Sequence, residues 1–171
     1  GRVYYGCDND TVYCFDAEKG GAPLWEFATK HWVFSSPAVT GGRVYIGEGL
    51  HINTDAKVYC LDALTGKQIW NFQTRSHVEC SPTVSGGKVF TGAGDDGVYA
   101  LDAATGAKLW QARGLHVDSS PLVTEGLVIV GSGYGEHAVC AWKAESGEVA
   151  WKVAMPACAW GPPALGLKGV I

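Results

Sequence analysis

Val12-Tyr13-Cys14-Phe15-Asp16-Ala17 is written again as Val58-Tyr59-Cys60-Leu61-Asp62-Ala63 and as Val98-Tyr99-Ala100-Leu101-Asp102-Ala103. A looser fourth copy is Ala138-Val139-Cys140-Ala141-Trp142-Lys143-Ala144. Each copy runs into a glycine turn and then a tryptophan: Trp25, Trp70, Trp110 and Trp151, spaced by 45, 40 and 41 residues. The pairs Ser36-Pro37, Ser81-Pro82 and Ser120-Pro121 recur at a similar spacing, with Pro163 in the fourth place. Self-similarity at a period of about 40–45 residues marks a solenoid or a propeller.

Within the second unit the residues mark out four strands, lettered A to D. They cover Ser36 to Val39, Arg43 to Gly47, Lys57 to Ala63 and Lys67 to Thr74. Aromatic and β-branched residues fill these segments, and Gly, Asp and Asn fill the turns between them. No segment carries a sustained 3.6-residue apolar period, so little or no helix is expected. Four short antiparallel strands, repeated, make the blade of a β-propeller, and the fold class is all-β.

Composition agrees. The chain has 171 residues, 47% of them hydrophobic and 18% charged, which is enough apolar material for the core of one domain. Glycine occurs 24 times and methionine once, a balance that favours turns over long helices. Net charge is −4 with no run of lysine or arginine, which argues against a nucleic-acid or anionic-membrane surface. No apolar run reaches the ~18 residues that a membrane-spanning helix requires. The sequence opens at Gly1 without Met or a signal peptide, and a mature chain or a fragment is the expectation. Cys14, Cys60 and Cys140 occupy one repeat slot, filled by Ala100 in the remaining unit. Equivalent slots in successive blades are too far apart to cross-link, so these cysteines read as small buried residues.

The consensus Ser-Ser-Pro-x-Val, Gly-x-Val-Tyr, Val-Tyr-x-Leu-Asp-Ala, Thr-Gly-x-x-x-Trp resembles the quinoprotein alcohol-dehydrogenase-like propeller, the PQQ-like repeat family. The resemblance covers essentially the whole chain. It implies one partial propeller domain over residues 1–171, with units at about 1–35, 36–80, 81–119 and 120–160 and a leftover segment at 161–171. It implies that Trp25, Trp70, Trp110 and Trp151 dock each blade onto its neighbour. It also implies a ring of usually eight blades, of which four are encoded here.

The ends fall at one phase of the repeat. Gly1-Arg2-Val3-Tyr4 matches Gly42-Arg43-Val44-Tyr45, the start of strand B, so the first unit lacks strand A. Gly161 to Leu165 reads as an orphan strand A. It is expected to pair beside Arg2 to Gly6, in this chain or in a second copy, or to be completed by other sequence. An unpaired edge would expose backbone donors and acceptors.

Chain direction alternates along a blade, which puts the B–C and D–A connections on one rim. All five histidines map there: His51 and His137 in B–C loops, and His31, His77 and His116 in D–A connections. Five residues before the repeat proline stand Trp32, His77, His116 and Cys158; three before it stand Phe34, Glu79, Asp118 and Trp160. Positions that vary on a repeated scaffold are where propellers build binding sites. His77, His116 and Cys158 are candidate ligands for zinc or another transition metal. The alternative is ordinary hydrogen-bonded loop histidines, since no Cys-x-x-Cys or His-x-x-x-His spacing is present. Asp95-Asp96-Gly97 has the look of an acidic metal loop but reads more simply as a hairpin turn. Asp16, Asp62 and Asp102 precede the C–D turn, where a carboxylate accepts backbone N–H groups. Lys143 breaks that pattern. Asn9-Asp10-Thr11 is a weak match to a glycosylation acceptor in another turn.

The resemblance spans quinone-dependent dehydrogenases, outer-membrane assembly scaffolds, sensor domains and secreted proteins. The quinone enzymes it implies use a vicinal disulfide over the cofactor and a calcium ion; no Cys-Cys pair occurs here. The leading expectation is therefore a non-catalytic binding or scaffold propeller with no cofactor, with PQQ and calcium disfavoured. Its partner would be a protein or a second copy that completes the ring. A fragment of a PQQ-dependent dehydrogenase and a metal-binding or sensing rim are the alternatives. The resemblance implies a periplasmic or extracellular setting.

Overall fold

The computed structural model describes residues 1–166. The first sheet has three strands, β1 (Arg2–Cys7), β2 (Thr11–Asp16) and β3 (Trp25–Ala28). The second has four: β4 (Ala38–Thr40), β5 (Arg43–Gly47), β6 (Lys57–Asp62) and β7 (Gln68–Gln73). The third holds β8 (Thr83–Ser85), β9 (Lys88–Gly92), β10 (Val98–Asp102) and β11 (Lys108–Ala112). The fourth holds β12 (Leu122–Thr124), β13 (Leu127–Gly131), β14 (Ala138–Lys143) and β15 (Val149–Ala154). Every pairing is antiparallel and between sequence neighbours, the meander of a propeller blade. The described residues contain no helix.

Strands A of adjacent blades lie side by side, β4 against β8 and β8 against β12. The recurring Ser-Pro explains why. The Ser36 amide donates to Ser81 Oγ, and the Ser81 amide to Ser120 Oγ, each at 2.9 Å. One hydroxyl per unit thus stitches the inner strands of three connections together.

At the outer side the tryptophans dock as the repeat implies. Trp25 Nε1 donates to the Ala63 carbonyl of the next blade at 3.2 Å, and Trp70 Nε1 to Ala103 at 3.2 Å. Trp110 Nε1 donates to Ala144 at 3.0 Å. Each ring covers the glycine of the neighbouring C–D turn. A Cβ on Gly66, Gly106 or Gly147 would come within 2.6, 2.7 or 2.8 Å of that ring. The same carbonyls receive further donors, Tyr4 Oη at Ala63 (3.0 Å) and Tyr45 Oη at Ala103 (3.1 Å). Burying an indole removes ~150–250 Å² from water, so each docking carries several kcal/mol of gross stabilisation at ~25 cal/mol per Å². Trp151 meets no further blade among the described residues and is 39% exposed.

The interior is layered between sheets. One cluster joins blades 1 and 2 through Val12, Cys14, Trp25, Ile46 and Tyr59. Another joins blades 2 and 3 through Val58, Cys60, Trp70, Tyr99 and Leu101. A third joins blades 3 and 4 through Phe90, Val98, Ala100, Cys140 and Trp142. Cys14, Cys60 and Cys140 are buried free thiols, as their shared slot with Ala100 predicts.

One expected element is absent. Within this chain Gly161 to Leu165 forms no strand, and among the described residues β1 pairs only with β2. Pro162 and Pro163 bring no N–H to a ladder, and in the other blades strand A is held by strand B of its own unit. Here that strand B would fall on residues 167–171, outside the described residues.

Candidate functional site

Each D–A connection is clamped between two blades before it reaches the inner strand. Strand B ends in glycine at Gly47, Gly92 and Gly131, and in the first unit Gly6 is its last residue but one. The connection crosses so close that a Cβ on Gly47 would lie 2.3 Å from Val78 Cγ1. Val78 N–H donates to the Glu48 carbonyl at 2.9 Å and Val117 N–H to Gly94 at 3.0 Å. Two residues on, a small side chain takes the glycine amide of the next blade. Ser35 Oγ accepts from Gly47 (2.9 Å), Cys80 Sγ from Gly92 (2.9 Å) and Ser119 Oγ from Gly131 (2.8 Å). The residues just before Cys80 and Ser119 are therefore presented on rigid backbone.

Those residues converge. His77 Nε2 lies 2.9 Å from Asp118 Oδ1, and His116 Nε2 lies 2.9 Å from Asp118 Oδ2. His51, from the β5–β6 loop, brings Nδ1 to 3.1 Å from His77 Nε2. One donor atom from each of His51, His77, His116 and Asp118 lies within 4.8 Å of all the others. His77 is 1% and His116 8% exposed, while the His51 side chain is 51% exposed and forms the open edge.

Outer groups hold the cluster. Ser76 Oγ is 3.2 Å from His77 Nδ1, and Asp95 Oδ1 is 2.6 Å from His116 Nδ1. Glu79 Oε1 accepts the His51 backbone N–H at 3.1 Å. Tyr134 packs edge-on against His116 with ring centres 5.2 Å apart, and Trp160 packs edge-on against Tyr134 at 4.9 Å. Burial alone would lift the Asp118 carboxyl, but hydrogen bonding by His77 and the charge of His116 outweigh it and hold it below its ordinary range. For His116, burial pulls the imidazole down, and Asp95 and Asp118 more than offset this, leaving it above its ordinary value.

Counting back from the repeat proline thus locates His77, His116, Asp118, Glu79 and Trp160 in one place. It does not locate the others. Cys158 stands apart with its thiol 3.4 Å from His137 Nε2, so the three-residue set His77, His116 and Cys158 does not assemble. Trp32 and Phe34 pack edge-on 6.2 Å apart in a connection two blades away from Asp118. Phe34 lines a cleft of about 300 Å³ with Tyr5, Cys7 and Pro37. Trp32 lines another of about 240 Å³ with His31, Leu50 and Asn53. His31 is engaged elsewhere, with Nε2 2.8 Å from Asp55 Oδ1. Two members escape a reading by offset. His51 sits in a B–C loop longer than its counterparts, and Asp95 belongs to the hairpin turn, closed by Asp96 N–H donating to Ala93 at 2.9 Å.

The donor set bears on the quinone and calcium of the dehydrogenases. Calcium takes six to eight oxygen ligands. Three imidazoles and one carboxylate are nitrogen-rich, and no two cysteines are adjacent in the sequence. These residues do not fit that pair of cofactors.

The family described as outer membrane protein assembly factor BamB (PQQ_2) matches residues 8–157. Among curated proteins, a beta-alanine-activating enzyme of Danio rerio is 39% identical over 71 residues, covering 39% of this chain and 6% of that protein. The crystal structure of BamB from Moraxella catarrhalis superposes with a TM-score of 0.70 at 20% identity, over 88% of this chain and 44% of that one. The quinohemoprotein alcohol dehydrogenase from Comamonas testosteroni gives 0.62 at 30% identity, over 71% of this chain and 21% of that one. The chain therefore spans less than half the length of each of these relatives. Matched along most of its length and built of repeated four-stranded blades, the chain belongs to the PQQ-like repeat β-propeller family.

Proposed function

We propose that the chain is a non-catalytic binding and scaffold element whose partner, a second copy or another protein of the same repeat chemistry, completes the propeller. One observation carries this reading: among the described residues, one face of blade 4 and one of blade 1 present apolar side chains in the slots that are buried between the inner blades. Trp151 and its neighbours Val149 (65% exposed) and Val153 (54%) stand on the outer face of blade 4. On blade 1, Gly20 occupies the place of Gly66 in its C–D turn and has open space where a docked indole would lie. Val3 and Tyr5 of the same blade are exposed. Soluble proteins cover apolar faces of this kind. The relative named as an outer-membrane assembly factor supports a protein-binding role, and a periplasmic or extracellular setting goes with it.

Light scattering on the purified chain tests the reading. A dimer is expected, and Trp151→Ala or Gly20→Val, both away from the internal interfaces, returns it to monomer. A compact monomer at all concentrations that also captures no protein of the same repeat family overturns it. Quinone-dependent dye reduction by the chain with calcium and PQQ would overturn the non-catalytic half.

A further inference from the structure

We propose that His51, His77, His116 and Asp118 bind a divalent transition-metal ion, with zinc as the reference occupant. The inference stands on the rim alone and is independent of how the propeller is completed.

Tautomer geometry is the first ground. His77 Nδ1 faces Ser76 Oγ and His116 Nδ1 faces Asp95 Oδ1, both oxygens outside the cluster. An Nδ1–H that donates outward leaves the Nε2 lone pair aimed inward. Both inward nitrogens meet Asp118 oxygens, and His77 Nε2 also meets His51 Nδ1 at 3.1 Å. A cation that replaced the protons shared between these Nε2 atoms and Asp118 would be met by both Nε2 lone pairs and the carboxylate, with each Nδ1–H donating outward.

Distance and donor chemistry are the second ground. Zinc bonds at ~2.0–2.1 Å to nitrogen and oxygen in a tetrahedron set its ligand atoms ~3.3–3.4 Å apart. The close pairs here are 2.9–3.1 Å and no pair exceeds 4.8 Å, so the ligand atoms bracket that separation: the close pairs would open by a few tenths of an ångström and the wider ones draw in. Imidazole and carboxylate suit zinc, cobalt, nickel and copper, and exclude the oxygen-only preference of calcium.

The surroundings are the third ground. Asp95 on His116 is the outer carboxylate of a carboxylate–histidine–metal relay. Asp118, Asp95 and Glu79 supply negative charge around a divalent ion. His77, His116 and Asp118 are mostly buried on clamped backbone, while exposed His51 gives an entry path. Four protein ligands leave no open position, which suits a fastening role rather than a hydrolytic one. The ion would tie the blade 2 loop to the connections that follow blades 2 and 3.

The test uses the tag-free chain, stripped with chelator and titrated with zinc chloride by calorimetry, then with cobalt(II) followed by visible absorption. One ion per chain and the intense visible bands of four-coordinate cobalt are expected. Asp118→Asn and His116→Gln should abolish the bands. His51→Ala, at the exposed edge, should weaken zinc at least tenfold and keeps the test open if the buried variants misfold. Asp95→Ala should weaken it about 10–100-fold without touching the ion. His137→Ala, on the same rim, serves as the control and should leave affinity unchanged. Absence of zinc binding at micromolar concentration, or affinity unaltered in folded His51→Ala and Asp95→Ala, would overturn the site and leave a plain imidazole–carboxylate network.

Discussion

The two rims of this propeller segment are made by the same four units, yet they are built on opposite rules. On the rim of the C–D turns, each unit repeats the last. Asp62 Oδ1 accepts from Leu64 and Thr65 N–H at 3.1 and 2.7 Å, and Asp102 Oδ1 from Ala104 and Thr105 at 3.0 and 2.8 Å. Where Lys143 replaces the aspartate, the backbone keeps the turn, with Gly147 N–H donating to the Lys143 carbonyl at 2.8 Å. On the opposite rim the backbone clamp and the Ser-Pro repeat, but the residues between them do not. The position three residues before the proline is Phe34, Glu79, Asp118 or Trp160. Repetition thus marks what the scaffold needs, and its breakdown at fixed backbone positions marks where chemistry is carried.

The largest effect should come from the repeated side. Trp70 is almost fully buried and bonded to the next blade, and Trp70→Ala should cost ~3–5 kcal/mol in denaturant unfolding. A cost below 1 kcal/mol would show that the docking unit is decorative. Next is the backbone clamp of the variable rim. Gly47→Ala forces a methyl into Val78 and should cost ~1–3 kcal/mol. It should also loosen His77, one residue away, visible as faster amide exchange in residues 76–79.

Smaller, and confined to the turn rim, is the loss from Asp62→Ala. The Thr65 hydroxyl and turn amides hold the Asp62 carboxyl below its ordinary range. A carboxyl depressed in the folded state stabilises above its unfolded pKa of ~4 and loses that contribution as pH falls through the folded value. The difference between wild type and Asp62→Ala should therefore be largest at neutral pH and shrink on acidification. A gap that widens in acid would contradict the turn chemistry.

Least perturbing is thiol labelling of the native chain. Cys7 and Cys158 are partly exposed on the variable rim and should react first. Burial pushes Cys60 and Cys80 up to about 11, and with Cys14 and Cys140 they should react only on unfolding. Six equally fast thiols would refute the packing.

Much of this was legible in the residues. The strands of the second unit, the aspartate turns and the tryptophan slots follow from local patterns that recur in register. So does the rim on which all five histidines lie, because strand alternation fixes it. What escaped depends on contacts between units. His51 reaches His77 from a B–C loop longer than its counterparts, Asp95 serves His116 from a hairpin turn, and Cys158 shares an offset with His77 but turns towards His137. An offset fixes a backbone position on the rim; it says nothing of which neighbour a side chain meets. The strand expected over 161–165 has no partner among the described residues of this chain, and a strand is made by its partner as much as by its own residues.

The division between the rims is tested most directly by thermal melts of paired variants with and without zinc. Asp62→Ala should lower both melting curves equally and preserve the zinc-induced rise. Asp118→Asn should erase that rise. Loss of the rise in Asp62→Ala, or its survival in Asp118→Asn, would contradict the assignment of architecture to one rim and binding chemistry to the other.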